Sequence, residues 1–375
     1  MDVSAHKKQQ PLCIGILTTP DPKRRFSGNR ENFIDLIKAG YEQGALVYVV
    51  TTSDLKLSGK HVQAYCYQLT AKKWNKQLMP LPDVIYNRIP TRRLEIQSDV
   101  QRTIQACIRS KQVHLFNPFF FDKWTLFEWL DQSPEIRKYV PVTKQLSSQA
   151  VLESMLKRFP FIYLKPVEGK AGKGIMRLER ITKKSGAQTY KLTMQETVNS
   201  HYELFTNLSD VWNRIAEIKK DESYIIQQGI RLSSFNKRPF DLRALLQKTS
   251  KGTWSVTGIG ARVAGRQSIT THVPRGGSID DPERLLEKSF GPLKAKRILQ
   301  RTRSTALLMA SSVEQTSKQK LGEMSMDLGV DLDGRIWFFE ANSKPMKFDE
   351  PHIRKKSLAR IIGYSVHLAN KNKTK

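Results

Sequence analysis

The segment Phe161-Ile162-Tyr163-Leu164-Lys165-Pro166-Val167-Glu168-Gly169-Lys170-Ala171-Gly172-Lys173-Gly174-Ile175 carries a lysine at the end of an apolar run, followed by Gly169, Gly172 and Gly174. Glycines let backbone N–H groups approach an anion with no side chain in the way, and a flanking lysine supplies charge to phosphate oxygens. The chemistry this suits is a nucleotide phosphate cradle. It lacks the Gly-Lys-Ser/Thr spacing of a P-loop and is no GxGxxG turn, so a plain β-turn bearing lysines stays as the alternative.

Near the other end, Met324 to Asn342 reads as strand, turn, strand, with Asp333-Gly334 as the hairpin signal. Asp327 faces Glu340 and Asn342 across that hairpin, and Glu340 and Asn342, two residues apart, share a strand face. Two carboxylates and an amide oxygen are hard ligands suited to Mg²⁺ bridging a nucleotide's phosphates; an exposed polar strand end is the competing reading. Asp331 and Asp333 read as turn residues. The histidines His6, His61, His114, His201, His352 and His367 show no metal-ligand spacing.

The elements that must position these groups begin with an alternation of strand and helix. Leu12 to Leu17 is a short continuous apolar run of the buried parallel type, and Arg30 to Gln43 places Phe33, Ile34, Ile37 and Tyr41 on one helical face ended by Gly44. Leu46 to Thr51 completes a βαβ unit. Val62 to Leu69 and Trp74 to Met79 predict a hairpin, Val84 to Tyr86 a strand, Gln97 to Ser110 a helix, and His114 to Phe116 a closing strand before Asn117-Pro118. The expected division is 1–118 as an α/β layer and 119–375 as a second body. Trp124, Phe127, Trp129 and Leu130 read as core at helical spacing.

The 39% apolar fraction of the 375 residues supports a folded protein of two or three domains and excludes fibrous and extensively disordered classes. Cys13, Cys66 and Cys107 form no CxxC, so neither a disulfide framework nor a thiolate zinc site is expected. No stretch approaches a membrane span, and the run after Lys7-Lys8 is too short for a signal peptide, so the expected location is cytoplasmic. The formal charge of +28 is diffuse, with 18 basic and 9 acidic residues in 1–118 and 45 and 26 in 119–375. That spread fits weak polyanion association rather than a dedicated binding arm.

Taken in order, a lysine, a glycine-rich loop, an Asp and Glu-x-Asn near the C-terminus make the chain from about Asp122 resemble the ATP-grasp superfamily. The whole resembles the YheC/YheD group of endospore coat-associated proteins. The resemblance implies an α/β protein, α+β in its ATP-grasp body, with a pre-ATP-grasp layer ahead of two subdomains that clamp Mg-ATP. It implies Lys123 and Lys165 as phosphate ligands, Pro141-Val142-Thr143 as the element after the first lysine, and backbone groups around Gln227 and Gln228 against adenine. Residues 227 to 240 offer no acid for the ribose. Arg238-Pro239-Phe240-Asp241-Leu242-Arg243 is similar to the Asp-x-Arg strand of the glutamate-ligating branch, and Gly260-Ala261-Arg262 and Arg275-Gly276-Gly277 to its next elements. Arg243 and Arg262 would then sit over the transferring phosphoryl group, and His272 stands where that branch carries Asn. Asp327, Glu340 and Asn342 match the metal triad. The implied activity is an ATP-dependent carboxylate–amine ligase acting on an anionic carboxylate, associated with the spore coat and its proteins; a turnover-deficient scaffold and a polyanion binder are the rival readings.

Overall fold

The run Cys13–Thr18 is buried at every residue and lies inside a six-stranded sheet in a computed structural model of the protein, which describes residues 11–168, 172–182 and 186–370. The strand order is Lys73–Pro80, His61–Gln68, Leu46–Thr51, Cys13–Thr18, Val84–Asn87, His114–Phe116. Four of these strands are parallel, and the hairpin at one edge is antiparallel. Both faces are covered, which is why the strand reads as an unbroken apolar run. Ile14 and Ile16 meet Phe33, Leu36 and Ile37 of helix Arg30–Glu42 on one side, while Leu17 shares the other with Val100, Ile104 and Cys107 of helix Ser98–Arg109.

One residue of the expected helical face differs: Tyr41 is 76% exposed. Gly40 takes the inward position instead, and a Cβ there would stand 2.2 Å from Val47 Cγ2. The missing side chain lets the helix lie close on the strand, and Tyr41 turns to solvent.

The rest of the chain builds two antiparallel sheets. The first has the order Ser200–Phe205, Gln188–Gln195, Met176–Thr182, Phe161–Pro166, Tyr224–Gln228, Thr143–Gln145, and its inner face packs on helices Gln149–Arg158 and Leu208–Lys219. The second has the order Ser278–Asp280, Trp254–Val263, Arg238–Lys248, Glu323–Val330, Ile336–Asn342. Its apolar residues meet helix Pro292–Ser317, whose Ala306, Met309, Ala310 and Val313 are fully buried.

Asn117 joins the first layer to this last sheet. Its φ of 55° is left-handed, a conformation Asn tolerates better than most residues. Its Oδ1 accepts from Gly322 N–H at 2.8 Å and Glu323 N–H at 3.2 Å, and its Nδ2 donates to Glu323 O at 2.7 Å and to Ser343 O. Glu323, 3% exposed, accepts from Tyr86 Oη, from Arg88 at 3.3 Å and from Gln247 at 3.1 Å. Burial raises its pKa, opposed by the Arg88 charge. The last helix, Pro351–Asn370, returns to the N-terminal sheet and places Ile361, Ile362, Tyr364 and Leu368 in the core around Ile14 and Phe116.

Candidate active site

A cavity of about 510 Å³ opens between the two C-terminal sheets. Lys123, Lys165, Gly172, Gln227 and Gln228 line it together with Asp241, Arg262, His272, Asp327 and Glu340. Gly169 lies outside the described residues. Arg243, Gly174 and Asn342 do not line the cavity.

Lys165 reaches the cavity from strand Phe161–Pro166. Its Nζ donates to Gln227 Oε1 at 2.5 Å, and Gln227 Nε2 donates to Thr143 Oγ1 at 2.9 Å, so three adjacent strands hold the ammonium in place. The rings of Tyr163 and Phe339 stand 5.8 and 5.4 Å from the same nitrogen. Burial pushes the Lys165 pKa down to about 8; Glu340 opposes this and Lys123 adds to it. Lys123, at the start of helix Lys123–Asp131, lies 3.8 Å from Glu340 Oε1. Its helix is capped by Asp122, whose Oδ1 accepts from Thr125 N–H at 2.9 Å.

The glycine loop comes down from the same sheet. Gly172 and Gly174 have φ of 74° and 73°. A Cβ at Gly174 would meet Pro166 Cγ and Tyr224 Oη at 2.9 Å, and one at Gly172 would meet His272 Nδ1 and Thr270 Oγ1 at 3.2 Å. Along strand Tyr224–Gln228, Gln228 N–H donates to Val142 O at 2.8 Å and its Oε1 accepts from Val142 N–H at 3.2 Å. Beyond it the lining runs through Ile230, Arg231, Leu232, Ser234 and Lys237, a stretch without a carboxylate.

The acidic wall depends on register. Arg243 pairs with Asp327 and Asp327 with Glu340, so these three stand side by side across three strands. A β-bulge makes the last pairing: Leu328 is opposite Phe338 but Asp327 is opposite Glu340, leaving Phe339 as the extra residue. In an unbroken ladder Asp327 would face Phe339 and Glu340 would turn to the other side. Asn342, opposite Ser325, follows Glu340 on the same face.

Arg262 is held rather than free. It donates to Asp241 at 3.1 and 3.0 Å and lies 2.8 Å from Asp327 Oδ2, with both ends of the latter pair 6% exposed. Burial raises the Asp327 pKa, but Arg262, Arg243 and His272 outweigh it and hold the carboxyl below its usual range. Burial opposes the charge on Arg262, and Asp241 and Asp327 restore it. Arg243 lies with its guanidinium carbon 5.3 Å from the Phe348 ring centroid. Burial, then Arg262, pushes His272 down to about 4, so its imidazole is neutral at pH 7.

Three contributors escaped the sequence reading. Asp241 was visible in the Asp-x-Arg motif, yet its partnership with Arg262 needs the pairing of two strands. Phe339 appears in sequence as one apolar residue in a strand, and its place beside Lys165 needs the packing of one sheet against the other. His272 carried the signal of standing in place of Asn, without an assigned part.

A divalent cation fits this wall on two observations: Asp327 Oδ1 is buried with no hydrogen-bond partner, and the donors nearby are hard carboxylates.

Comparison with known proteins agrees with the architecture. The family described as YheC/D-like ATP-grasp matches residues 112–368. Endospore coat-associated protein YheD of Bacillus subtilis (strain 168) is 28% identical over 371 residues, 96% of this chain and 79% of its own. YheC of the same organism is 23% identical over 314 residues, 83% of this chain and 84% of its own. Among solved structures, D-alanyl-alanine synthetase A from Vibrio cholerae O1 biovar eltor str. N16961 matches with a TM-score of 0.53 at 12% identity, covering 98% of this chain and 100% of its own. D-cycloserine synthetase DcsG matches at 0.51 and 16%, covering 96% and 99%. At such identities the structures speak for the fold, an ATP-grasp fold of mixed α and β layers, whereas the match over most of the sequence speaks for descent. The chain belongs to the YheC/D-like ATP-grasp family.

Proposed function

We propose that the protein binds Mg-ATP between its two C-terminal sheets and joins a carboxylate to an amine through an acyl phosphate. The observation that carries this reading is the meeting, in one cavity, of Lys165 and Gln227 from one sheet with Arg262, Asp327 and Glu340 from the other. Lys123 and Lys165 supply positive charge to the phosphates, and the backbone of the glycine loop at Gly172 closes over them. Gln227 and Gln228 border the base. Asp327 and Glu340 hold the cation, with Asn342 next on the same strand face, and the cation when bound would neutralise charge on the phosphate oxygens. Arg262 and Arg243 set fixed positive charge beside the transferring phosphoryl group. A substrate carboxylate oxygen bonds to the γ-phosphorus as ADP leaves with the electrons of the broken P–O bond; an amine then bonds to the acyl carbon, the C–O bond breaks, and phosphate departs with that electron pair and the proton the amine gives up. The excess of basic residues suits an anionic acyl substrate. The names of YheD and YheC support a role at the spore coat, with coat proteins as partners, during sporulation.

A second reading, a scaffold that binds nucleotide without turnover, is favoured by one observation: Arg262 already occupies Asp327 Oδ2. The two separate on Glu340→Gln, which keeps size and removes charge. In the ligase reading this change cuts ADP release, screened over carboxylate and amine pairs, by orders of magnitude while adenosine still binds. Asp333→Asn, in the turn, is the control and should leave ADP release intact. Wild-type protein that binds Mg-ATP and releases no ADP with any pair would favour the scaffold.

A further inference from the structure

The position of His272 goes beyond this reading and rests on it, since the ion concerned is the one that meets the nucleotide. One ring nitrogen of His272 and one carboxylate oxygen each from Asp327 and Glu340 lie within 4.8 Å of one another, and among the described residues no other trio of His, Cys, Asp or Glu does so. An ion ~2.1 Å from each of three donors holds them no more than about 4.2 Å apart, so a closure of roughly half an ångström completes the set. Two donors wait there without partners. Asp327 is 4% exposed and its Oδ1 is unpaired, and His272 Nδ1 is likewise buried and unpaired. Buried polar atoms in native proteins are nearly always satisfied, and an orphan at a cleft points to a missing ligand. Arg262 takes only Asp327 Oδ2, leaving the other oxygen for an ion. Asn342, by contrast, does not line the cavity.

We propose that His272 is a metal ligand in this chain, and that the site is a mixed nitrogen and oxygen site preferring Mn²⁺ and Co²⁺ to Mg²⁺. Mg²⁺ takes oxygen donors and gives up its waters reluctantly, whereas imidazole raises affinity for first-row transition ions in the order Mn²⁺ < Fe²⁺ < Co²⁺. The ring also lies beside the glycine loop, since a Cβ at Gly172 would stand 3.2 Å from its Nδ1. Metal binding and loop placement are thereby linked through one imidazole.

The test uses the full chain with ADP, so that no turnover is needed. Mn²⁺ binding is followed by loss of the free-ion electron spin resonance signal, Co²⁺ and Mg²⁺ binding by calorimetry, and the coordinating atoms by electron spin-echo modulation of bound Mn²⁺. Wild-type protein should show imidazole nitrogen coupled to Mn²⁺. His272→Asn, which substitutes an oxygen donor of smaller size, should lose that coupling and weaken Mn²⁺ and Co²⁺ by at least about tenfold, the loss common even for groups outside the ligand shell, while leaving Mg²⁺ affinity unchanged. Bound Mn²⁺ without nitrogen coupling in the wild type overturns the assignment of His272 and leaves the nucleotide reading standing. Failure of Mn²⁺ to bind at all with ADP present overturns both. Should His272→Asn fail to fold, the wild-type spin-echo spectrum decides alone.

Discussion

Lys165 is pulled two ways, by burial that disfavours its charge and by the anion it faces in the proposed complex. Its pKa falls from the usual 10.5 to about 8, chiefly through burial. The sign follows: holding that proton destabilises the fold in full below about 8, and the cost fades as pH rises from about 8 to 10.5 and is gone above the unfolded value. A triphosphate favours the ammonium, so ATP affinity should be flat below pH 8 and fall by up to about tenfold per unit above it. Lys165→Arg should flatten the profile. Equal affinities at about pH 7 and about pH 9.5 would remove Lys165 from contact with phosphate. Lys165→Ala should weaken ATP by roughly 1.5 to 3 kcal/mol in calorimetry, the worth of a charge-assisted hydrogen bond, with the circular dichroism spectrum preserved. The residues that resist reading from sequence are those whose partners come from other strands. Arg262 has the composition of a free guanidinium and the surroundings of a paired one.

At the scale of elements, local signals carried far. Leu46–Thr51 and His114–Phe116 have the bounds that alternation and apolar runs indicate, and Asp333-Gly334 forms the expected turn with Gly334 at φ 83°. What period counting could not supply is the bulge at Phe339, because an extra residue in one strand leaves no mark on composition and reverses the facing of all that follows. Gly40 is similar: its role is set by the distance to Val47, which no sequence window contains. The glycine loop gives the prediction at this scale. Gly174→Ala must adopt a left-handed backbone and crowd Pro166 and Tyr224. Urea unfolding should show a loss of about 1 to 2 kcal/mol, and ATP should bind more weakly because the loop moves. Unchanged stability would mean that the turn relaxes without strain.

The whole molecule carries +28 with no concentrated arm. Each phosphate neutralised adds to the salt dependence, so duplex DNA should bind weakly and without sequence preference at low salt, and gel-shift or anisotropy signals should vanish by ~200 mM. Tight binding to one sequence above that salt would instead make nucleic acid the functional partner. Among the described residues no helix is long and apolar enough to cross a membrane. The three layers form one continuous body because the chain's ends meet: Ile361, Ile362, Tyr364 and Leu368 fill the core that Ile14, Ile16 and Phe33 begin. That meeting bears on synthesis. A ribosome adding ~5–20 residues per second delivers the closing helix on the order of ten seconds or more after the opening sheet. Throughout that interval the part of this face beside Phe116 that Tyr364 later covers stays open, so the layer nearest the start of the chain completes its core only after the sheets that follow it have been made.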